Sequence, residues 1–160
     1  MKAPRRLLIL VTALAIVFAG ASAGAFKLKS RYAVKLSGKQ ETPAVSTKAT
    51  GVAYIRRIAH DTKLTYVLKV RNIEGVTMAH IHLAPKGQEG PPVANLYTGP
   101  EKKGKFSGTL AKGTITDKDL TGPMQGKTIN DLIKEIKGGN TYINVHTAAH
   151  PNGEIRGQIK

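Results

Sequence analysis

The sequence predicts an all-β domain built from antiparallel strands, with one short helix. Apolar and polar residues alternate in short runs, and turn-forming Gly, Pro, Asn and Asp residues separate these runs at close intervals. The alternation is clearest in residues 62–70, where Leu64 and Leu68 share one face and Lys69 lies on the other. Many short strands at this spacing are typical of an antiparallel sandwich or barrel.

Eight strands are predicted, and a hairpin turn is expected between the second and the third at residues 59–63, AHDTK. The sixth strand is expected to bend near Gly108, because glycine within a strand often marks a bulge. The predicted strands cover residues 32–37, 51–58, 63–70, 77–83, 93–97, 105–115, 141–145 and 154–159.

The segment TINDLIKEIKGG, residues 128–139, is the one helix that the sequence predicts. Its four apolar residues recur at helical spacing, and no proline interrupts it. Thr128 and Asp131 have the spacing of a capping box, and Gly138 and Gly139 can end the helix. We therefore expect a helix at residues 129–136, packed on one edge or end of the sheet.

The first 25 residues have the pattern of a processing segment, and residues 26–160 that of a single domain. A basic start precedes an uncharged apolar stretch and a run of small residues. This three-part pattern is typical of a secretory signal peptide, cleaved after Ala23 or Ala25, and an uncleaved anchor is the alternative. We expect a protein that is secreted or held in the periplasm or cell envelope, with no transmembrane span after cleavage.

Composition limits the chemistry open to this chain. It contains no cysteine, so thiolate catalysis, cysteine-based zinc sites and disulfides are excluded. The formal charge is +15, and loss of Lys2, Arg5 and Arg6 with the signal peptide leaves +12. Such a charge favours anionic cell-surface polymers as partners, with an unidentified protein as the alternative. Export and the spread of lysines along the chain argue against a nucleic acid.

The stretch AHIH, residues 79–82, places two histidines on the same face of a predicted strand, because alternate residues of a strand point the same way. The last two strands should form a hairpin through the turn sequence HPNG. This hairpin brings three pairs of polar residues to one face: Tyr142 with Gln158, Asn144 with Arg156, and His146 with Glu154.

If the AHIH face joins this polar face, several imidazoles converge. Imidazole suits copper, zinc, iron and nickel, and tetragonal nitrogen sites favour copper(II). The alternative is a cross-strand polar network that binds no metal. No residue forms a recognisable catalytic motif, so we expect a binding module and not an enzyme. The candidate copper ligands are His80, His82, His146 and His150, and the candidates for orienting them are Asn144, Glu154 and Arg156.

Four stretches of the sequence resemble the CHRD (chordin-type) domain, which is found in many exported bacterial and archaeal proteins. They begin LSGKQETPAV, LTYVLKVRNI, FSGTLAKGTI and GNTYINVHTA, and the most specific pieces are AHIH and NVHTAAHPNGEIRGQI. The resemblance runs from about Tyr32 to Lys160. It implies an immunoglobulin-like or Greek-key β-sandwich. It does not imply growth-factor binding, which resides mainly in separate cysteine-rich repeats.

A fainter resemblance links AHIH to the copper–zinc superoxide dismutases, Greek-key sandwiches in which a His-x-His strand supplies copper ligands. Arg156 resembles the late arginine that guides the anion in those enzymes. The chain lacks their zinc-loop ligands and their disulfide cysteines, so a site that holds copper is favoured over a dismutase-like enzyme. A structural or adhesive cell-envelope domain, with a basic surface and no metal, is the further alternative.

Overall fold

Residues 31–160 are described by a computed structural model, and they form one antiparallel sheet with one α-helix. The all-β class with a short helix is thus confirmed. The expected signal peptide, residues 1–25, lies outside the described residues. The strands are β1 (Arg31–Ser37), β2 (Thr50–Ile58), β3 (Lys63–Leu83), β4 (Pro92–Tyr97), β5 (Lys102–Ile115), β6 (Thr141–Thr147) and β7 (Ile155–Gln158), and the helix is α1 (Ile129–Lys137).

The strand pairing closes on itself around five strands. β1 pairs with β2, β2 with β3, β3 with β6, and β6 with β7. The ring is completed where Ser37 of β1 lies opposite Arg156 of β7. β4 and β5 add to β3 outside this ring. The described residues therefore form a closed barrel with two added strands, whereas the resemblance implied a sandwich of two sheets.

Strand β3 runs without interruption through the gap that the sequence predicted between residues 63–70 and 77–83. That prediction was wrong because Asn72 (φ 54°) and Gly75 (φ 64°) bend the strand without ending its pairing. The register with β5 shifts at both places, as it does at β-bulges. The first half of β3 pairs with β2 and β5, and the second half pairs with β4 and β6, so β3 connects both parts of the barrel.

Aliphatic side chains from the inner faces of the strands fill the barrel. Buried and more exposed residues alternate in β1 and in most of β2, so every second side chain reaches the core. Strand β6 differs because it is buried at every position, on its outer face as well as its inner one. Fully buried large side chains include Leu36, Ile55, Leu64, Leu68, Ile73, Ile81, Ile115 and Ile143.

Helix α1 begins at the predicted capping box. The Thr128 hydroxyl accepts a hydrogen bond from the backbone N–H of Asp131, and the Asp131 carboxylate accepts one from the backbone N–H of Thr128. A membrane-spanning helix is not found among residues 31–160, since the helices there lack the length and apolarity that a bilayer crossing needs. The apolar residues that pack α1 onto the core are Ile129, Leu132, Ile133 and Ile136.

Replacing Thr128 with alanine removes the side chain that caps α1. We expect the free energy of unfolding to fall by about 1 kcal/mol, as it does at other helix N-caps. The matched control is Thr98→Ala, at an exposed threonine outside regular structure, which should change stability by less than about 0.5 kcal/mol. Equal losses in the two variants, measured by urea unfolding, would contradict the role of the cap.

Candidate metal site

Two neighbouring strands, β3 and β6, carry the predicted polar face. In their antiparallel register His80 lies opposite Asn144, and His82 lies opposite Tyr142. His146 projects on the same side as these residues, because alternate residues of a strand share a face. The face is therefore built by the pairing of two strands whose opposed residues His80 and Asn144 are 64 residues apart in sequence.

Three imidazoles converge at the centre of this face. The rings of His80, His82 and His146 each offer one nitrogen that lies within 4.8 Å of the other two. His80 Nδ1 is 3.2 Å from His146 Nε2, and the ring centroids of His82 and His146 are 5.7 Å apart. All three residues are buried, with 7–9% of their surface exposed. The structure thus brings together three of the four histidines that the sequence singled out.

His150 and Glu154 lie apart from this cluster. The backbone carbonyl of His150 closes the β6–β7 turn, where it accepts hydrogen bonds from the backbone N–H groups of Thr147 and Gly153. The Glu154 carboxylate accepts hydrogen bonds from the hydroxyls of Thr47 (2.6 Å) and Thr147 (2.8 Å). Glu154 therefore ties the loop before β2 to the end of β6, and among residues 31–160 its recorded bonds do not include an imidazole.

Backbone carbonyls assign the tautomers of two of the imidazoles. Nδ1 of His82 donates to the carbonyl of Gly90, and Nδ1 of His146 donates to the carbonyl of Pro151, both at 2.8 Å. A carbonyl can only accept, so each ring carries its proton on Nδ1 and keeps a lone pair on Nε2. The Nε2 atom of His82 is buried and has no hydrogen-bond partner in the described part of the chain.

Burial lowers the pKa of all three imidazoles. The pKa of His80 falls from 6.5 to about 4, because of burial first and then the proximity of His146 and His82. The pKa values of His82 and His146 are also lowered by burial, although their bonds to backbone carbonyls oppose the shift. The three rings are therefore neutral at pH 7, and neutral imidazole is the form that binds metals.

Arg156 acts on the cluster through Tyr142. Two of the predicted pairs of the last hairpin are confirmed, with Tyr142 opposite Gln158 and Asn144 opposite Arg156. The Tyr142 ring stacks on the His82 ring with centroids 4.9 Å apart, and the Arg156 guanidinium lies 3.5 Å from the centre of the Tyr142 ring. Arg156 also donates a 2.8 Å hydrogen bond to the carbonyl of Gln88. The stack fixes the orientation of the His82 ring.

A cleft of about 200 Å³ opens beside His82 and His146. Asn144 lines it and donates through Nδ2 to Oε2 of Glu41, at 3.2 Å. The other oxygens of this pair, Asn144 Oδ1 and Glu41 Oε1, are buried without a partner among residues 31–160. Burial raises the pKa of Glu41 to about 7, against the opposing effects of Arg156 and the Asn144 hydrogen bond.

Sequence reasoning missed Glu41. The residue follows the short helical turn Gly38–Gln40, in a loop that carries no local signal of a binding site. It reaches the cleft because β1 pairs with β7 and this pairing places the end of β1 beside Arg156. A long-range strand pairing of this kind cannot be predicted from the alternation of apolar and polar residues along a single strand.

The comparisons with known proteins place the chain in a family of domains by sequence alone. The CHRD domain family matches residues 32–159, so the chain belongs to the CHRD family. It is 29% identical over 134 residues to chordin of Xenopus laevis and, to the same extent, to chordin of Danio rerio. Each match covers 79% of this chain but only 12% of the relative. No solved structure matches the chain.

Acidification should destabilise the metal-free protein through the buried imidazoles. An unfolded histidine takes up a proton near pH 6.5, whereas the folded His80 stays neutral to about pH 4. The unfolded state therefore binds more protons between these values, and the free energy of unfolding falls as the pH drops from 6.5 to 4. His80→Asn should flatten this dependence, measured by urea unfolding at each pH.

Glu41 provides a control because burial raises its pKa, whereas burial lowers the pKa of His80. Its folded pKa of about 7 lies above the ordinary value of 4.5, so the folded state binds more protons between these values. The carboxyl thus opposes the loss of stability in acid, and Glu41→Gln should steepen the dependence that His80→Asn flattens. A change of slope in the same direction in both variants would contradict the two opposite shifts.

Proposed function

We propose that this chain is an exported CHRD module that holds copper(II) through His80, His82 and His146. The observation that carries the proposal is the lone pair on Nε2 of His82, which is buried beside two other imidazoles and has no partner among the described residues. Export is supported by the signal-peptide pattern of residues 1–25. The role of the module is to bind the ion, and the sequence supplies no catalytic motif.

The spacing of the nitrogens suits one metal ion. Metal–imidazole bonds are about 2.0–2.1 Å long, so two nitrogens that share an ion lie no more than about 4 Å apart. His80 Nδ1 and His146 Nε2, at 3.2 Å, meet this condition, and the nitrogen of His82, within 4.8 Å of both, meets it after a small rotation of its side chain. His80 and His146 now share a hydrogen bond, so binding requires the proton of His80 to move from Nδ1 to Nε2. This change of tautomer needs no movement of the backbone.

Copper is favoured over zinc by the kind of ligand. The cluster offers imidazole nitrogens alone, and the chain has no cysteine thiolate to add to them. Copper(II) stands above zinc at such nitrogen sites in the Irving–Williams order. The hydrogen bonds to Gly90 and Pro151 hold two of the rings in the tautomer that binds through Nε2.

A polar network without metal explains part of the same geometry. His82 and His146 hold the loop carbonyls of Gly90 and Pro151, which structural histidines also do. This alternative leaves the His82 Nε2 lone pair unexplained, because a buried acceptor without a partner costs about 1–3 kcal/mol. A bound ion removes that cost, so the metal site accounts for more of the observed contacts.

Isothermal titration calorimetry of the purified protein should show one copper(II) ion bound per chain and weaker binding of zinc. His82→Ala and His146→Ala each remove one of three ligands. We expect each variant to bind copper at least about 100-fold more weakly, since removing residues that merely orient a ligand already costs 10–100-fold.

His150→Ala is the matched control, because His150 is a histidine of the same polar region that lies outside the cluster. It should bind copper as the unaltered protein does. Copper affinity that survives both His82→Ala and His146→Ala would reduce the cluster to a polar network. A loss of copper affinity in His150→Ala alone would mean that the copper ligands lie outside the cluster of His80, His82 and His146.

A second candidate function, binding of anionic polymers, is supported by the outer face of β1, β2, β5 and the first half of β3. Strands β1, β2 and β5 contain no acidic residue. Arg31 lies directly opposite Arg56, and like charges so placed destabilise a sheet unless a counter-charge is supplied. We call this surface the cationic face, and its exposed cations include Arg31, Lys35, Arg56, Lys69, Arg71 and Lys112.

The cationic face combines residues that are spread along the sequence. Strand pairing gathers cations that are far apart in the chain, because Val52 of β2 lies between Lys35 and Lys69. Tyr54, which is 51% exposed, lies near the centre of the face. An anionic cell-surface polymer is the partner that this charge distribution favours, through attraction that salt screens.

Neutralising three cations of this face should weaken binding to dextran sulfate. The variant Arg56→Gln/Lys69→Gln/Lys112→Gln loses roughly 1 kcal/mol per cation near an anionic surface, and we expect affinity to fall by about two orders of magnitude at low salt. The control, Lys118→Gln/Lys127→Gln/Lys137→Gln, removes the same charge from exposed positions elsewhere. Equal losses of affinity in the two triple variants would show that binding depends on net charge alone and not on the cationic face.

A further inference from the structure

The cleft beside the three imidazoles contains unmatched hydrogen-bond acceptors. His82 and His146 form part of its wall, and Asn144 and Glu41 form another part. Asn144 Oδ1, Glu41 Oε1 and His82 Nε2 are buried atoms without partners in the described structure, and all three belong to residues of this cleft. Asn144 itself is 3% exposed. A pocket with this lining favours a ligand that donates hydrogen bonds to oxygen.

We propose that the ion held by the three imidazoles keeps one coordination position open to this cleft. A water molecule occupies that position, donates a hydrogen bond to each of Asn144 Oδ1 and Glu41 Oε1, and exchanges for a small anion. The inference rests on the proposed copper site and adds to it a ligand-exchange function. A site with three protein ligands and an open position is the arrangement that accepts exogenous ligands.

The cleft matches the proposed ligands in its hydrogen-bond acceptors and in its charge. Water bound to a metal ion has two hydrogens to donate and the cleft has two oxygens to receive them. Asn144 Nδ2 is already engaged with Glu41 Oε2, so the amide presents its oxygen to the cleft and not its nitrogen. The guanidinium of Arg156, which is 2% exposed, also lines the cleft and favours an anion as the replacing ligand.

Size limits the replacing ligand to a few atoms. The cleft holds about 200 Å³, and a molecule of liquid water takes about 30 Å³. Loops carrying Gly90 and Pro151 border it, and both are held in place by hydrogen bonds from the imidazoles. Azide is therefore a suitable probe, because it is small, anionic and gives a charge-transfer absorption when bound to copper(II).

The test is a titration of the copper-loaded protein with azide, followed by that absorption. We expect a band that saturates at one azide per copper. Glu41→Gln should bind azide about tenfold more tightly, because the change removes a negative charge and supplies an N–H donor. Glu89→Gln, at an exposed residue of the same cleft, makes the same change of charge away from the buried acceptors and should shift azide affinity by less than about threefold.

Two results would overturn the inference. Copper that binds stoichiometrically by calorimetry but shows no azide band would mean that the coordination position is closed, and the copper site itself would stand. Equal shifts in Glu41→Gln and Glu89→Gln would remove the assigned role of Glu41. Failure to bind copper at all would instead refute the proposed function, and the two failures are thereby distinguished.

Discussion

The pairing of β3 with β6 is the constraint on which the polar site depends. It sets His80 and His82 beside Asn144 and His146, and it buries both strands. Because side chains alternate with a period of two, a slip of one residue would carry the imidazoles into the barrel and Ile81 outwards. The fully buried aliphatic residues of the inner face therefore hold the register that aligns the outer one.

Loops pressed onto this outer face explain why its polar groups are buried. Gly90 approaches β3 so closely that a Cβ there would collide with the backbone of Leu83, and a Cβ at Gly153 would collide with the amide of Asn144. Gly153 also has φ of 129°, which glycine adopts readily. The loops thereby supply the carbonyls that assign two tautomers, and they bury His82 Nε2.

Features set by local pattern could be predicted from the sequence, and features set by distant pairing could not. Alternation and the HPNG turn were enough to obtain the register of Asn144 and Arg156, because a short hairpin leaves little freedom. The sequence predicted two strands where β3 is continuous. A glycine such as Gly75 commonly ends a strand, whereas here it forms a bulge within one. Glu41 was missed because only the contact of β1 with β7 brings it to the cleft.

Burial sets the raised pKa of Glu41 at the edge of the cleft. Burial penalises the ionised carboxylate, and the positive charge of Arg156 compensates only in part. The divalent ion proposed to bind at the imidazoles would add positive charge close to the cleft, and bound cations reverse the effect of burial on nearby acids. Neutral imidazoles cannot supply that charge themselves, so a bound ion and the ionised carboxylate of Glu41 would each stabilise the other.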